Sequence, residues 1–147
     1  MRPPRVAVFG SVNMDLVAYT DQVPASGETV TGKDFRQVPG GKGANQAVAA
    51  ARAGADTVFL GAVGDDPFGA VLRDNLVDCG IDTRGVRVAP GVSGVAHIVV
   101  DGRGSNSIIV IPGANGTVTS TVEGDAALIG NADALLLQLE LPMEAVV

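Results

Sequence analysis

Two short apolar runs, Arg5–Phe9 and Thr57–Val63, restrict this chain more than any other feature. Neither alternates apolar with polar residues. Each is therefore expected to be a strand covered on both faces, the pattern of a parallel sheet flanked by helices. Downstream of the first strand, Pro39-Gly40-Gly41-Lys42-Gly43 breaks the chain. The segment Ala44–Ala53 then places Ala44, Ala47, Val48 and Ala51 on one helical face. Such small side chains let a helix lie close to a sheet, and Gly54 is a natural stop. After the second strand, Asp65-Asp66-Pro67 offers a carboxylate cap and a first-turn proline. The helix it starts runs through Val71, Leu72 and Leu76 to Cys79-Gly80. Strand, helix, strand, helix in that order predicts parallel strands joined by right-handed crossovers.

The pattern changes after Val92. Gly94–Val100 and Ser105–Ile111 flank Asp101-Gly102-Arg103-Gly104, which predicts a hairpin. Asp15–Tyr19 and Glu28–Val38 also read as extended. A weak helix is expected over Thr119–Ile129. Ala134–Leu139 reads as another buried strand, and Pro142 opens a helix that reaches Val147 within six residues. A buried parallel strand needs neighbours and covering helices, and so short a helix is marginal in water. The expectation is an α/β fold interrupted in mid-motif, with residues 1–147 forming the amino-terminal part of one domain.

Composition narrows the function classes. The formal net charge is −6, so no overall cationic field draws in nucleic acid. No apolar run approaches the ~18 residues of a membrane span. The stretch Val6–Phe9 is shorter than the roughly 7–15-residue core of a secretory leader. A cytoplasmic protein with no membrane partner is expected. Cys79 is the sole cysteine, and no Cys/His cluster resembles a zinc site, so no metal ligand is assigned. A Ser-His-Asp hydrolase would have to rest on His97, the one histidine, which reads instead as a packing or interface residue of the hairpin. Nucleotide loops fail as well. Lys42 is followed by Gly43 rather than Ser or Thr, and no glycine closes a G-x-G-x-x-G after Gly41-Lys42-Gly43.

What remains is a polar cluster at strand ends. Asn13 and Asp15 follow the first strand two residues apart, so in an extended segment they face the same side. The loop Gly40-Gly41-Lys42-Gly43-Ala44-Asn45 lies at a helix N-terminus, and Glu140 follows the last strand. Ligands of open parallel sheets bind beyond the carboxyl ends of the strands. Asn13, Asp15, Lys42, Asn45 and Glu140 are thus expected to converge from three loops. Carboxylates accept from hydroxyls, while lysine and asparagine donate to them. Hydrogen bonds to a charged group contribute about 1.5–3 kcal/mol, against ~1 for neutral pairs. With no aromatic nearby to stack a ring, the expected ligand is small and rich in hydroxyls.

The run Gly40-Gly41-Lys42-Gly43-Ala44-Asn45-Gln46-Ala47, followed by Gly54 and Gly64, resembles the first signature of the ribokinase-like, or phosphofructokinase-B, family of carbohydrate kinases. The likeness extends along the chain through Gly10–Asp15 (GSVNMD), Gly27–Gly32 (GETVTG), Gly64–Asp66 (GDD), Pro112–Asn115 (PGAN) and Gln138–Glu140 (QLE). The GGKGANQA form is most similar to the ribose-phosphorylating branch. A kinase of a related sugar such as deoxyribose is the neighbouring alternative, and a non-catalytic sugar-binding or dimerising fragment is another.

The resemblance implies roles. Asn13 and Asp15 would hold sugar hydroxyls, with Asp15 across a diol. Gly40, Gly41, Lys42, Gly43 and Asn45 would form the loop on the other side, and Glu140 would complete the ring. Ala96, Ile98 and Val110 would form an apolar wall. Segments near 15–19, 28–38, 94–100 and 105–111 would make a small β lid that also joins two copies into a homodimer. The family's later G-A-G-D motif, whose aspartate is the general base, is not in this sequence, and neither is the ATP-binding half. No catalytic residue is therefore assigned here. ATP and Mg2+ are expected of the complete enzyme, with a monovalent cation as a further activator. Gly61-Ala62-Val63-Gly64-Asp65 is similar to that motif but carries an extra residue, and it reads better as a strand end and helix cap.

Overall fold

A computed structural model describes residues 2–147. Four parallel strands form the core sheet: β1 (Arg5–Phe9), β4 (Asp56–Gly64), β5 (Asp82–Ala89) and β8 (Ala134–Leu137), in the order β5-β4-β1-β8. A second sheet has the order β3-β2-β6-β7, built from β2 (Asn13–Tyr19), β3 (Asp34–Gly40), β6 (Gly94–Val100) and β7 (Asn106–Ile111). In it, β2 runs parallel to β6, while β3 and β7 pair antiparallel at the two sides. Helices α1 (Lys42–Arg52) and α2 (Pro67–Asp78) pack on one face of the core sheet.

The continuous apolar strands behave as expected of strands covered twice. Along β1, Val8 joins a cluster with Ala44, Ala47, Phe59, Leu72 and Leu76 beneath the two helices. Ala7 and Phe9 join Val58, Leu60, Ala62, Ala114, Val118 and Leu141 on the opposite face. That second face is covered by a 3-10 turn at Gly113–Thr117 and by α3 (Asp125–Gly130). Ala47 is fully buried, so the small residues of α1 do bring its axis close to the sheet. The start of α2 follows its sequence signal. Asp66 caps it by accepting from Gly69 N–H at 2.9 Å, and it also accepts from Ser93 Oγ at 2.6 Å and Ser93 N–H at 2.9 Å. The Gly61–Asp65 segment is accordingly strand end and helix lead-in.

Several expectations are corrected. Residues 82–89 form an additional strand, β5, which the sequence hides. Arg84 and Arg87 interrupt any apolar run there because β5 is an edge strand. The extended segment near 28–38 is displaced to Asp34–Gly40. Upstream of it the chain loops, with Ala25 N–H donating to Glu28 at 2.8 Å and Gly27 in the left-handed region. The helix expected over 119–129 is confined to α3, and the Pro142 helix is a single 3-10 turn, Met143–Ala145. β8 is shorter than expected and is not buried. It borders the sheet beside β1, leaving Leu135 and Leu137 each 41% exposed. No helix among the described residues is long and apolar enough to cross a membrane.

Candidate functional site

β1 runs through Gly10-Ser11-Val12 directly into β2, carrying the chain from the core sheet into the second sheet. This junction, the start of α1 and the segment after β8 meet at the carboxyl end of β1. Between them lies a cavity of about 180 Å³ lined by Asn13, Asp15, Gly41, Lys42, Asn45, Ala96, Ile98, Ile108, Val110 and Glu140. It opens beside a larger cleft of about 520 Å³, bordered by Ser11, Asn115, Leu139 and Pro142.

The cavity has a polar floor and an apolar wall because of strand register. Asp15 stands opposite Ala96, and Ala96 opposite Val110. One step along, Ile98 stands opposite Ile108. Residues paired across strands share a face, so these side chains point together. His97 falls between Ala96 and Ile98 in β6 and therefore points to the other face of the sheet.

Glu140 is the anion of the α1 N-terminus. It accepts from Ser11 Oγ at 2.6 Å and from Lys42 N–H at 3.0 Å, and it forms an ion pair with Lys42 Nζ. Burial pushes its carboxyl upward, but the bonds from Lys42 and Ser11 outweigh that and hold it below the ordinary glutamate range. The other opening N–H groups of α1 are also used. Gly43 N–H donates to Ser11 Oγ at 3.3 Å, Ala44 N–H to Ser11 O at 2.9 Å and Asn45 N–H to Gly41 O at 2.9 Å. A phosphate needs such groups free. The glycine loop therefore does not fit as a seat for ATP phosphates. The described residues also contain no group of three or more His, Cys, Asp or Glu that could hold a metal.

Asp15 is the contrasting carboxylate. It has no hydrogen-bond donor among the described residues. Burial, and secondarily the negative charge of Glu140, raises its carboxyl above the ordinary aspartate range. A half-buried carboxylate left without partners is costly unless something else supplies donors.

Of the sequence-derived residues, nine line this cavity: Asn13, Asp15, Gly41, Lys42, Asn45, Glu140, Ala96, Ile98 and Val110. Gly40 and Gly43 do not, and they act as spacers. A β-carbon on Gly43 would stand 2.6 Å from Ser11 N, so its absence lets α1 approach the β1–β2 junction.

Residues 3–144 match the pfkB family of carbohydrate kinases. The chain belongs to the pfkB carbohydrate kinase family. A ribokinase of Bacillus subtilis is 47% identical over 143 residues, covering 96% of this chain and 48% of that protein. A deoxyribokinase of Salmonella typhi is 42% identical over 143 residues, covering 96% of this chain and 47% of that protein. The structure of Arabidopsis thaliana ribokinase complexed with ribose and ATP is similar with a TM-score of 0.85 at 35% identity, covering 98% of this chain and 47% of that one. The chain spans about half the length of these relatives.

Ser11, Ile108 and Asn115 also brace or line the cavity of this pfkB-family chain, and the sequence alone assigns none of them a role. Ile108 could have been found from strand alternation, two residues before Val110. Ser11 and Asn115 sit in the GSVNMD and PGAN segments that carry the family likeness, but that likeness gives neither residue a role of its own.

Proposed function

We propose that this chain carries the sugar-recognition side of an ATP-dependent carbohydrate kinase, with ribose as the sugar and its 5-hydroxyl as phosphoryl acceptor. The observation that carries the reading is Asp15, a carboxylate without protein partners at a cavity lined by Asn13, Lys42, Asn45 and Glu140. A vicinal diol supplies the two donors it lacks. Asn13 and Asn45 offer amide groups to the sugar oxygens, while Ala96, Ile98, Ile108 and Val110 cover its carbon face. Lys42 contributes mainly by fixing Glu140, since the two are already paired.

Phosphoryl transfer depends chiefly on positioning and on stabilising charge. In this reading the chain supplies positioning. The general base, ATP, Mg2+ and any monovalent cation are held by residues outside it. The second sheet serves as the lid over the sugar. Its outer face presents Phe35, Ile109 and Ile111 to solvent, which supports a homodimer formed through the lid.

Calorimetric titration with ribose and with 2-deoxyribose tests the reading. Heat of binding with ribose, lost on Asp15→Ala, is the expected result, and no heat at millimolar ribose counts against it. Tighter binding of 2-deoxyribose would favour the deoxyribokinase reading, to which the 42% identical relative lends weight. The 147-residue chain by itself is expected to release no ADP from ATP in the presence of ribose.

A further inference from the structure

Asn115 is 2% exposed and reaches the β1–β2 junction from the turn after β7. Its Oδ1 accepts from Val12 N–H at 3.0 Å, and its Nδ2 donates to Val12 O at 3.1 Å. A backbone N–H can only donate and a backbone carbonyl can only accept, so these two bonds fix which end of the Asn115 amide is which. The second Nδ2 hydrogen donates to Asn13 Oδ1 at 2.8 Å. That bond in turn fixes the amide of Asn13. Its oxygen faces Asn115, and its Nδ2 is left for the cavity. Gly94 makes room for the pair, because a β-carbon there would lie 2.1 Å from Asn115 Nδ2 and 2.2 Å from Asn13 Oδ1.

We infer that Asn115 is a positioning residue that sets the hydrogen-bond polarity of the site, forcing Asn13 to present N–H donors beside the acceptor-only carboxylate of Asp15. An isolated asparagine can show a ligand either its oxygen or its nitrogen. Here the backbone of Val12, relayed through Asn115, removes that freedom. A hydroxyl that lies between Asn13 and Asp15 must then accept from the first and donate to the second. The pair favours an alcohol over a carbonyl, which has no proton for Asp15, and over an ammonium group, which has no lone pair for Asn13. The amide polarity stands on protein geometry alone, while its consequence for the ligand rests on the sugar-site reading above.

The test uses the intact protein labelled with 15N at asparagine. Without ligand, both side-chain N–H hydrogens of Asn115 are expected to be protected from solvent exchange, while those of Asn13, which is 4% exposed but lines the cavity and donates to no acceptor among the described residues, exchange faster. A protected Asn13 hydrogen together with an exchanging Asn115 hydrogen would overturn the inference. Asn115→Asp keeps the acceptor for Val12 N–H but removes the donors. Its expected results are that Asn13 turns its NH2 inward, gains protection, and loses about tenfold in ribose affinity. Unchanged exchange at Asn13 in a folded Asn115→Asp protein would also overturn it. Asn13→Asp keeps a partner for Asn115, so it reads the same question where Asn115→Asp does not fold. Asn115 should stay protected while ribose affinity falls, and loss of that protection goes against the inference. If ribose perturbs no asparagine signal in the wild type, the sugar reading fails, and the exchange data alone still decide the amide polarity.

Discussion

Gly40 lies against the carboxylate of Asp15, and a β-carbon at position 40 would stand 2.3 Å from Asp15 Oδ2. The atom in the way is the end of a side chain, so it can swing aside with little strain elsewhere. Gly40→Ala should therefore leave the melting temperature nearly unchanged and weaken ribose binding by about tenfold, the loss of roughly one charged hydrogen bond. Gly43→Ala makes the opposite case. Its β-carbon meets the Ser11 backbone at 2.6–2.7 Å, and overpacking of that kind costs about 1–3 kcal/mol. Thermal melts alongside calorimetry separate the two. Equal destabilisation by both variants would contradict the spacer role of Gly40.

Asp15→Asn should raise stability at neutral pH. Burial, and then Glu140, lift the Asp15 carboxyl above its unfolded value. The folded state thus binds that proton more tightly, and ionising Asp15 costs stability as pH rises through its range. The variant removes that cost. Its melting temperature should exceed the wild type at pH 7, and the gap should shrink as acid protonates Asp15. Ribose binding should be lost at the same time, which is the usual exchange between stability and function at a site. A lower melting temperature at pH 7 would show that Asp15 has a stabilising partner.

Glu140→Gln should behave with the reverse sign. Despite its burial, Lys42 and Ser11 hold Glu140 below the ordinary range. A depressed carboxylate stabilises above its unfolded pKa, and that contribution disappears as pH falls through the folded one. The variant should lose about 1–2 kcal/mol at pH 7, a modest figure because Lys42 is largely exposed. Its deficit should close in acid. Denaturant titrations at several pH values measure this directly, and a deficit that persists in acid would refute the charge-based account.

Gly94→Ala should be more damaging than Gly40→Ala. Its β-carbon would strike the amides of Asn115 and Asn13, which are bonded to each other and, through Asn115, to the Val12 backbone, so neither can move aside without breaking those bonds. A loss of about 1–3 kcal/mol is expected from overpacking and broken hydrogen bonds. Chemical denaturation of this variant beside Gly40→Ala gives the comparison, and a milder effect than Gly40→Ala would count against the buried pair.

How much of this was legible in the sequence depended on how local each signal was. The apolar runs of β1 and β4, the small-residue face of α1 and the Asp66-Pro67 start of α2 are each determined by residues adjacent in sequence, and each is found in place. β5 was hidden because an edge strand needs no unbroken apolar run. There Val86 is buried while its neighbour-but-one Val88 lies open. β8 misled in the other direction, since three leucines in a row suggested burial where the structure has an exposed border. The polar set at the cavity was readable from its family motifs. The work of Asn115 was not, because its partners Val12 and Asn13 lie at the far end of the sequence.

That distance has a kinetic consequence. The bonds that shape the cavity join residues 129 apart for Ser11 and Glu140 and 103 apart for Val12 and Asn115. Closing such long loops costs chain entropy before any contact returns it, so these links form slowly relative to the local helices. Recovery of ribose binding after dilution from denaturant should therefore lag behind the return of helical signal. The sugar would act as a reporter of the final docking of the chain's two ends.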